Sequence, residues 1–139
     1  MRVKGRVESG KGEAAFFTSL DWVTRQLESQ AGFAPFPGTL NVRVDPRDLT
    51  RVDELFATKD FEIVPEDPRF CSAFFKRVWL DGVAAVAVFP SEDVHAYGKD
   101  VIEIIAHCHL KRALDLNDGD EVTISDARGT DSREGSGEA

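Results

Sequence analysis

The chain has 139 residues, 42% of them hydrophobic, and carries 17 Lys and Arg against 25 Asp and Glu for a formal charge of −8. That length suits one domain with its own core, and no run approaches the roughly 18 apolar residues of a membrane span. The acidic balance argues against non-specific nucleic-acid binding, since a phosphate backbone needs a cationic surface.

From the N-terminus, Val3, Gly5 and Val7 alternate with Lys4, Arg6 and Glu8, which predicts a half-buried first strand. The opening Met-Arg-Val-Lys-Gly-Arg has charge but no apolar stretch behind it, unlike a secretory signal. Ser9-Gly10-Lys11-Gly12-Glu13 follows as a glycine loop. At Ser19 the period changes: Leu20, Val23, Leu27 and Ala31 share one face of a helix over about 19–31, with Ser19 placed to cap its start and Gly32 to follow its end. The segment Phe33-Ala34-Pro35-Phe36-Pro37-Gly38-Thr39-Leu40-Asn41 then makes a rigid corner leading into a strand over 39–44. Thr39 and Asn41 fall on one face of that strand and Leu40, Val42 and Val44 on the other, core-facing one.

Arg47 to Phe56 reads as a short helix with Val52 and Leu55 inward. Further strands are expected around 60–64 and over 70–76, 78–80, 83–89, 101–106 and 121–125. Val83 to Phe89, nearly all apolar, is expected to be buried on both faces. Leu110 to Leu114 reads as a helical turn, and Asn117-Asp118-Gly119-Asp120 is a turn before Val122 and Ile124. Many short strands, few helices and no βαβ alternation predict a mainly β fold, a compact barrel over residues 1–125. The polar, Gly- and Ser-rich tail over 126–139 is expected to be disordered. Cys71 and Cys108 form no disulfide framework, and free thiols suit the reducing cytoplasm.

Several groups could carry chemistry. Gly10 and Gly12 expose backbone N–H groups to an anion and Lys11 adds charge, although the spacing is not that of a Walker loop and two glycines also make an ordinary turn. Thr39 and Asn41 offer hard oxygen atoms suited to Mg2+, or else serve as a strand residue and a backbone-satisfying amide. Glu103 interrupts Val101-Ile102-Glu103-Ile104-Ile105, either as a proton acceptor among isoleucines or as a carboxylate turned to solvent. His107 and His109 share a face, with His95 nearby in sequence, but no Cys or His pair has zinc-finger spacing. Phe16, Phe36, Phe74 and Tyr97 could stack on a planar ligand, although an aromatic is more often core.

The order of these pieces is more specific than any one of them. V-x-S-G-x-G-E-A at 7–14, F-x-P-x-P-G-T-L-N at 33–41, V-I-E-I-I-A at 101–106 with L-K at 110–111, and L-N-D-G-D-x-V at 116–122 occur in one chain. The series resembles the archaeal-type CTP-dependent riboflavin kinases over nearly all of residues 3–125. The resemblance implies a six-stranded cradle-loop β-barrel that transfers the γ-phosphoryl group of CTP to riboflavin, giving FMN and CDP.

It also implies the site. Nucleotide phosphates fall on Gly10, Lys11, Gly12, Glu13, Ala14, Ala15 and Phe16, and the cytosine on Cys108, His109, Leu110 and Lys111. A Mg2+ falls on Thr39 and Asn41, and the flavin on His95, Tyr97 and Glu103, with Glu103 catalytic. The chain departs from the family pattern at His95 and Tyr97, where a threonine and then a histidine are usual, at Lys111 for an arginine, and at Ala14 for a glycine. Such a protein is expected to be a cytoplasmic monomer binding small molecules, with no nucleic-acid or membrane partner. Two rival readings remain at this point. One is a flavin- or nucleotide-binding barrel without turnover. The other is a DNA-binding regulator on a related barrel, suggested by D-G-D-x-V-x-I at 118–124 and opposed by the charge.

Overall fold

The computed structural model describes residues 1–9, 18–69, 72–90 and 100–126. Strand β1 (Arg2–Glu8) alternates as its sequence requires, with Val3, Gly5 and Val7 buried and Arg2, Lys4 and Arg6 exposed. Helix α1 (Asp21–Ala31) precedes β2 (Leu40–Val44). A 3-10 turn (Pro46–Asp48) runs into α2 (Leu49–Leu55), followed by β3 (Phe61–Ile63), β4 (Ala73–Leu80), β5 (Val83–Pro90) and β6 (Val101–Ala106). The short α3 (Leu110–Ala113) and β7 (Glu121–Ser125) complete the described elements.

The strands pair antiparallel in the order β3-β4-β5-β6-β2-β1-β7, and a further pairing of β4 with β7 closes the ring. Six strands therefore make the expected closed barrel. β3 stands outside it, beside the first half of β4, with Phe61 opposite Phe75 and Ile63 opposite Ala73. β4 pairs with β3 at one end and with β7 at the other, where Trp79 and Leu80 meet Ser125 and Ile124.

Inward-facing Val3, Val7, Val42, Val44, Val78, Leu80, Ala85, Ala87, Ile102, Ile104, Val122 and Ile124 fill the barrel, with Val52 and Leu55 of α2 and Leu110 of α3 packed into the same core. A second core lies outside the sheet, where Trp22, Val23 and Leu27 of α1 cover Ile63, Phe75, Val86 and Ile105. Each large apolar side chain fully buried there contributes about 1.5–3 kcal/mol. The two cores explain why β5 and β6 are apolar on both faces: Ala85, Ala87, Ile102 and Ile104 face inward, and Val86 and Ile105 face the helix. Helix α1 also protects the open edge of β3. Gln26 exchanges hydrogen bonds with the backbone of Val64 (2.9 and 3.0 Å), and Gln30 donates to the Glu62 carbonyl (2.9 Å).

Four expectations need correction. The described part of the segments 70–76 and 78–80 is one strand, Ala73–Leu80, in which the charged Arg77 between them belongs to the outer face. Its guanidinium lies 5.3 Å from the Phe61 ring and donates to the Gln30 carbonyl in the last turn of α1, where a cation suits the helix dipole. Thr39 precedes its strand, which begins at Leu40. Ser19 is not the helix cap: Leu20 occupies that position without a side-chain cap, while Gly32 ends the helix as expected, at φ 87° with its N–H on the Glu28 carbonyl. Ala84 is exposed and Val83 and Val88 are half-buried, so of the described side chains of β5 only Ala85, Val86 and Ala87 are buried. Among the described residues, no helix is long and apolar enough to cross a membrane.

Candidate functional site

The Pro-Gly corner is held from two sides. The Phe36 N–H donates to the Ala106 carbonyl at the end of β6 (2.8 Å), and the Gly38 N–H donates to the Thr18 hydroxyl just ahead of α1 (2.7 Å). Gly38 takes φ 106°, a conformation other residues adopt only with strain, and Thr18 is fully buried. The chain is thus fixed at the point where it delivers Thr39 and Asn41.

Register decides what they meet. Asn41 lies opposite Glu8 on β1 and opposite Glu103 on β6, so three polar side chains form a row across adjacent strands on the outer face. The Thr39 hydroxyl donates to Glu103 Oε1 (3.2 Å). Glu8 is engaged by Arg43, which donates to both its oxygens (2.6 and 2.9 Å) and to Asp100 (2.5 Å).

Asn41 is only 4% exposed although it lies on the outer face, away from the core as expected, and Thr39 is half-buried. The Asn41 Oδ1 has no hydrogen-bond partner among the described residues. Burying an amide carbonyl unpaired is costly, and such an atom calls for an explanation, a bound ion being one. Oδ1 of Asn41 and the hydroxyl of Thr39, whose proton is committed to Glu103, together fit a hard cation such as Mg2+. Glu103 is half-buried, neither enclosed among isoleucines nor turned fully to solvent.

Beside this row, the corner and the start of α3 enclose a cavity of about 240 Å³, lined by Phe36 to Leu40 on one side and Cys108 to Lys111 on the other. Two segments far apart in sequence therefore converge. His109 caps α3, its Nδ1 accepting from the Arg112 N–H (3.3 Å), and its ring meets Phe36 edge-on at 5.2 Å. His107 meets the Phe33 ring at 6.2 Å. Among the described residues, no cluster of three His, Cys, Asp or Glu could hold a metal ion. Lys111 is tied by its Nζ to Asp118 (2.9 Å), which also accepts a hydrogen bond from Ser9, the last described residue before the glycine loop. The hydrogen bonds from Ser9 and Lys111 hold the Asp118 carboxyl below the usual carboxylate range.

The structure thus brings together Thr39, Asn41, Glu103 and Cys108 to Lys111. Residues Gly10 to Phe16, Cys71, His95 and Tyr97 lie outside the described residues. Sequence reasoning missed Thr18, Ser9 and Asp118. Ser9 and Asp118 stand inside two of the motifs, where they pass for turn residues, and Thr18 has no local signal at all.

The family described as CTP-dependent riboflavin kinase, domain of unknown function DUF120, matches residues 7–125. The chain belongs to that family. Similar proteins include a riboflavin kinase of Pyrobaculum aerophilum, 39% identical over 132 residues that cover 89% of this chain and 60% of the relative. One of Ignicoccus hospitalis is 34% identical, covering 88% and 69%. The chain thus spans about three fifths of the Pyrobaculum relative. A riboflavin kinase of Methanobrevibacter smithii, 32% identical, is matched over 98% of its own length and 89% of this chain.

Proposed function

We propose that this chain is a kinase that transfers the γ-phosphoryl group of CTP to the 5′-hydroxyl of riboflavin, giving FMN and CDP. The observation that carries the reading is the buried Asn41 Oδ1, without a partner among the described residues, beside the Thr39–Glu103 pair in a chain of this family. The Methanobrevibacter relative, a riboflavin kinase of nearly the same extent, supports it.

Phosphoryl transfer needs positioning and charge neutralisation more than covalent chemistry from the protein. The Thr39 hydroxyl donates its hydrogen bond to Glu103, which leaves its oxygen lone pairs to accept, and Asn41 Oδ1 has no partner among the described residues. These two oxygens would hold a Mg2+, which when bound neutralises phosphate charge. Both ligands are uncharged, so they leave that positive charge undiminished. Glu103 orients the riboflavin hydroxyl and accepts its proton as the O–P bond forms and CDP departs. Cys108 to Lys111 and the corner hold the cytosine end, in a cavity below the about 300–1,000 Å³ of sites for whole ligands and suited to part of one. By the family resemblance, the amides of residues 10–16 hold the phosphates, and His95 and Tyr97 contact the flavin, His95 donating where the family has threonine.

The test incubates purified protein with riboflavin, Mg2+ and each of CTP, ATP and GTP, and separates flavins by chromatography with fluorescence detection. FMN formed with CTP supports the proposal. Binding of CTP and riboflavin without FMN under any nucleotide overturns it in favour of a binding protein.

A further inference from the structure

Lys111 and Ser9 are carried by different elements, yet one carboxylate touches both. Asp118 Oδ1 accepts from Lys111 Nζ (2.9 Å) on α3, and its Oδ2 accepts from the Ser9 hydroxyl where the chain leaves β1 for the glycine loop. The turn carrying Asp118 is itself fastened to β1. The Gly119 N–H donates to the Val7 carbonyl (2.7 Å), the Val7 N–H donates to the Asp120 carbonyl (2.9 Å), and Arg6 donates to the Gly119 carbonyl (2.9 Å). Within the turn, the Asn117 N–H donates to the Asp120 carboxylate (2.8 Å).

The pair also stands between two cavities. Lys111 lines the one shared with Thr39, and Asp118 lines a larger one, of about 470 Å³, with Ser9, Glu8 and Arg43. We infer that Asp118 is a positioning residue for the nucleotide, tying Ser9 at the end of β1 to the Lys111 ammonium and so holding that ammonium at the cavity it lines with Thr39. This rests on the kinase reading given above. A lysine has a flexible stem and no planar fork, so its direction must be imposed by a partner, and the ammonium keeps two further donors for the nucleotide. Exposed ion pairs add little to folding stability, so the effect of Asp118 falls on binding rather than on the fold.

The experiment measures Mg2+-CTP and riboflavin binding by calorimetry, with thermal melting in parallel, on the wild type, Asp118→Asn, Lys111→Met and the double variant. Loss of the charge pair is expected to raise the Kd for CTP roughly tenfold. Riboflavin binding should stay within about twofold, and in the Lys111→Met background Asp118→Asn should add less than about twofold. Should Asp118→Asn not fold, Ser9→Ala removes one arm of the bridge and is expected to weaken CTP binding while its melting temperature holds. CTP binding that is unchanged or tighter in Asp118→Asn overturns the inference, as does parallel loss of CTP binding, riboflavin binding and melting temperature. A wild type that binds CTP but makes no FMN overturns the kinase reading alone; one that makes FMN while Asp118→Asn binds CTP normally overturns this inference alone.

Discussion

Replacing Asn41 by leucine should make the protein more stable and much less active. Asn41 is 4% exposed and its Oδ1 has no partner among the described residues. An unpaired buried carbonyl costs about 1–3 kcal/mol, and leucine removes that cost at similar volume, whereas a volume-conserving exchange in a packed site costs below about 1.5 kcal/mol. The net expectation is a gain of about 1–2 kcal/mol, or about 3–8 °C in melting temperature for a domain of this size. The same change removes one of two proposed metal oxygens. Losing about 3 kcal/mol of charge stabilisation is roughly a 100-fold loss in rate. Thermal unfolding in metal-free buffer measures the first effect and FMN formation in Mg2+ the second. Adding Mg2+ and CTP should raise the melting temperature of the wild type but not of the variant, since only a bound ligand shifts unfolding by mass action. A variant that melts lower than the wild type and keeps its activity would show that Asn41 is a satisfied structural amide and refute the reasoning.

Gly5 sits where β1 and β2 pass closely, and a Cβ there would lie 2.6 Å from both the Arg43 carbonyl oxygen and Val42 Cγ1. Gly5→Ala should therefore lower stability by about 1–3 kcal/mol, read as a fall in the urea midpoint. Asp45 accepts from both the side chain and the backbone N–H of Arg47, which lowers its pKa to about 2. Because the folded-state value is depressed, its contribution to stability is present above the ordinary value of 3.8 and lost as pH falls through about 2. Carbon-detected NMR titration should find that low pKa and, in Arg47→Ala, a return toward the ordinary value. An unshifted Asp45 in the wild type would contradict the pairing.

The local parts of this protein are legible along the chain. Alternation marks β1 and β7, the Leu, Val and Gly spacing marks α1 and its left-handed end at Gly32, and two prolines and a glycine mark the corner before Thr39. These signals are short-range because they reflect backbone preference and the period of side-chain direction, which neighbours in sequence decide. β4 is where that logic fails: Arg77 looks like a break until the end of α1 and the Phe61 ring are placed over it.

The site lies beyond the reach of local pattern for the same reason. Thr39 and Asn41 can be named from the sequence as oxygen donors, but not that Glu8, Asn41 and Glu103 stand in one row, which depends on the register of three strands. Nor can a turn motif show that Asp118 meets both Ser9 and Lys111, since that contact exists only once β7 has paired with β1 and the barrel has closed through β4. Residue chemistry is written one position at a time, whereas its enclosure and its partners come from pairings between distant segments, and it is those pairings that leave the Asn41 carbonyl buried without a partner among the described residues.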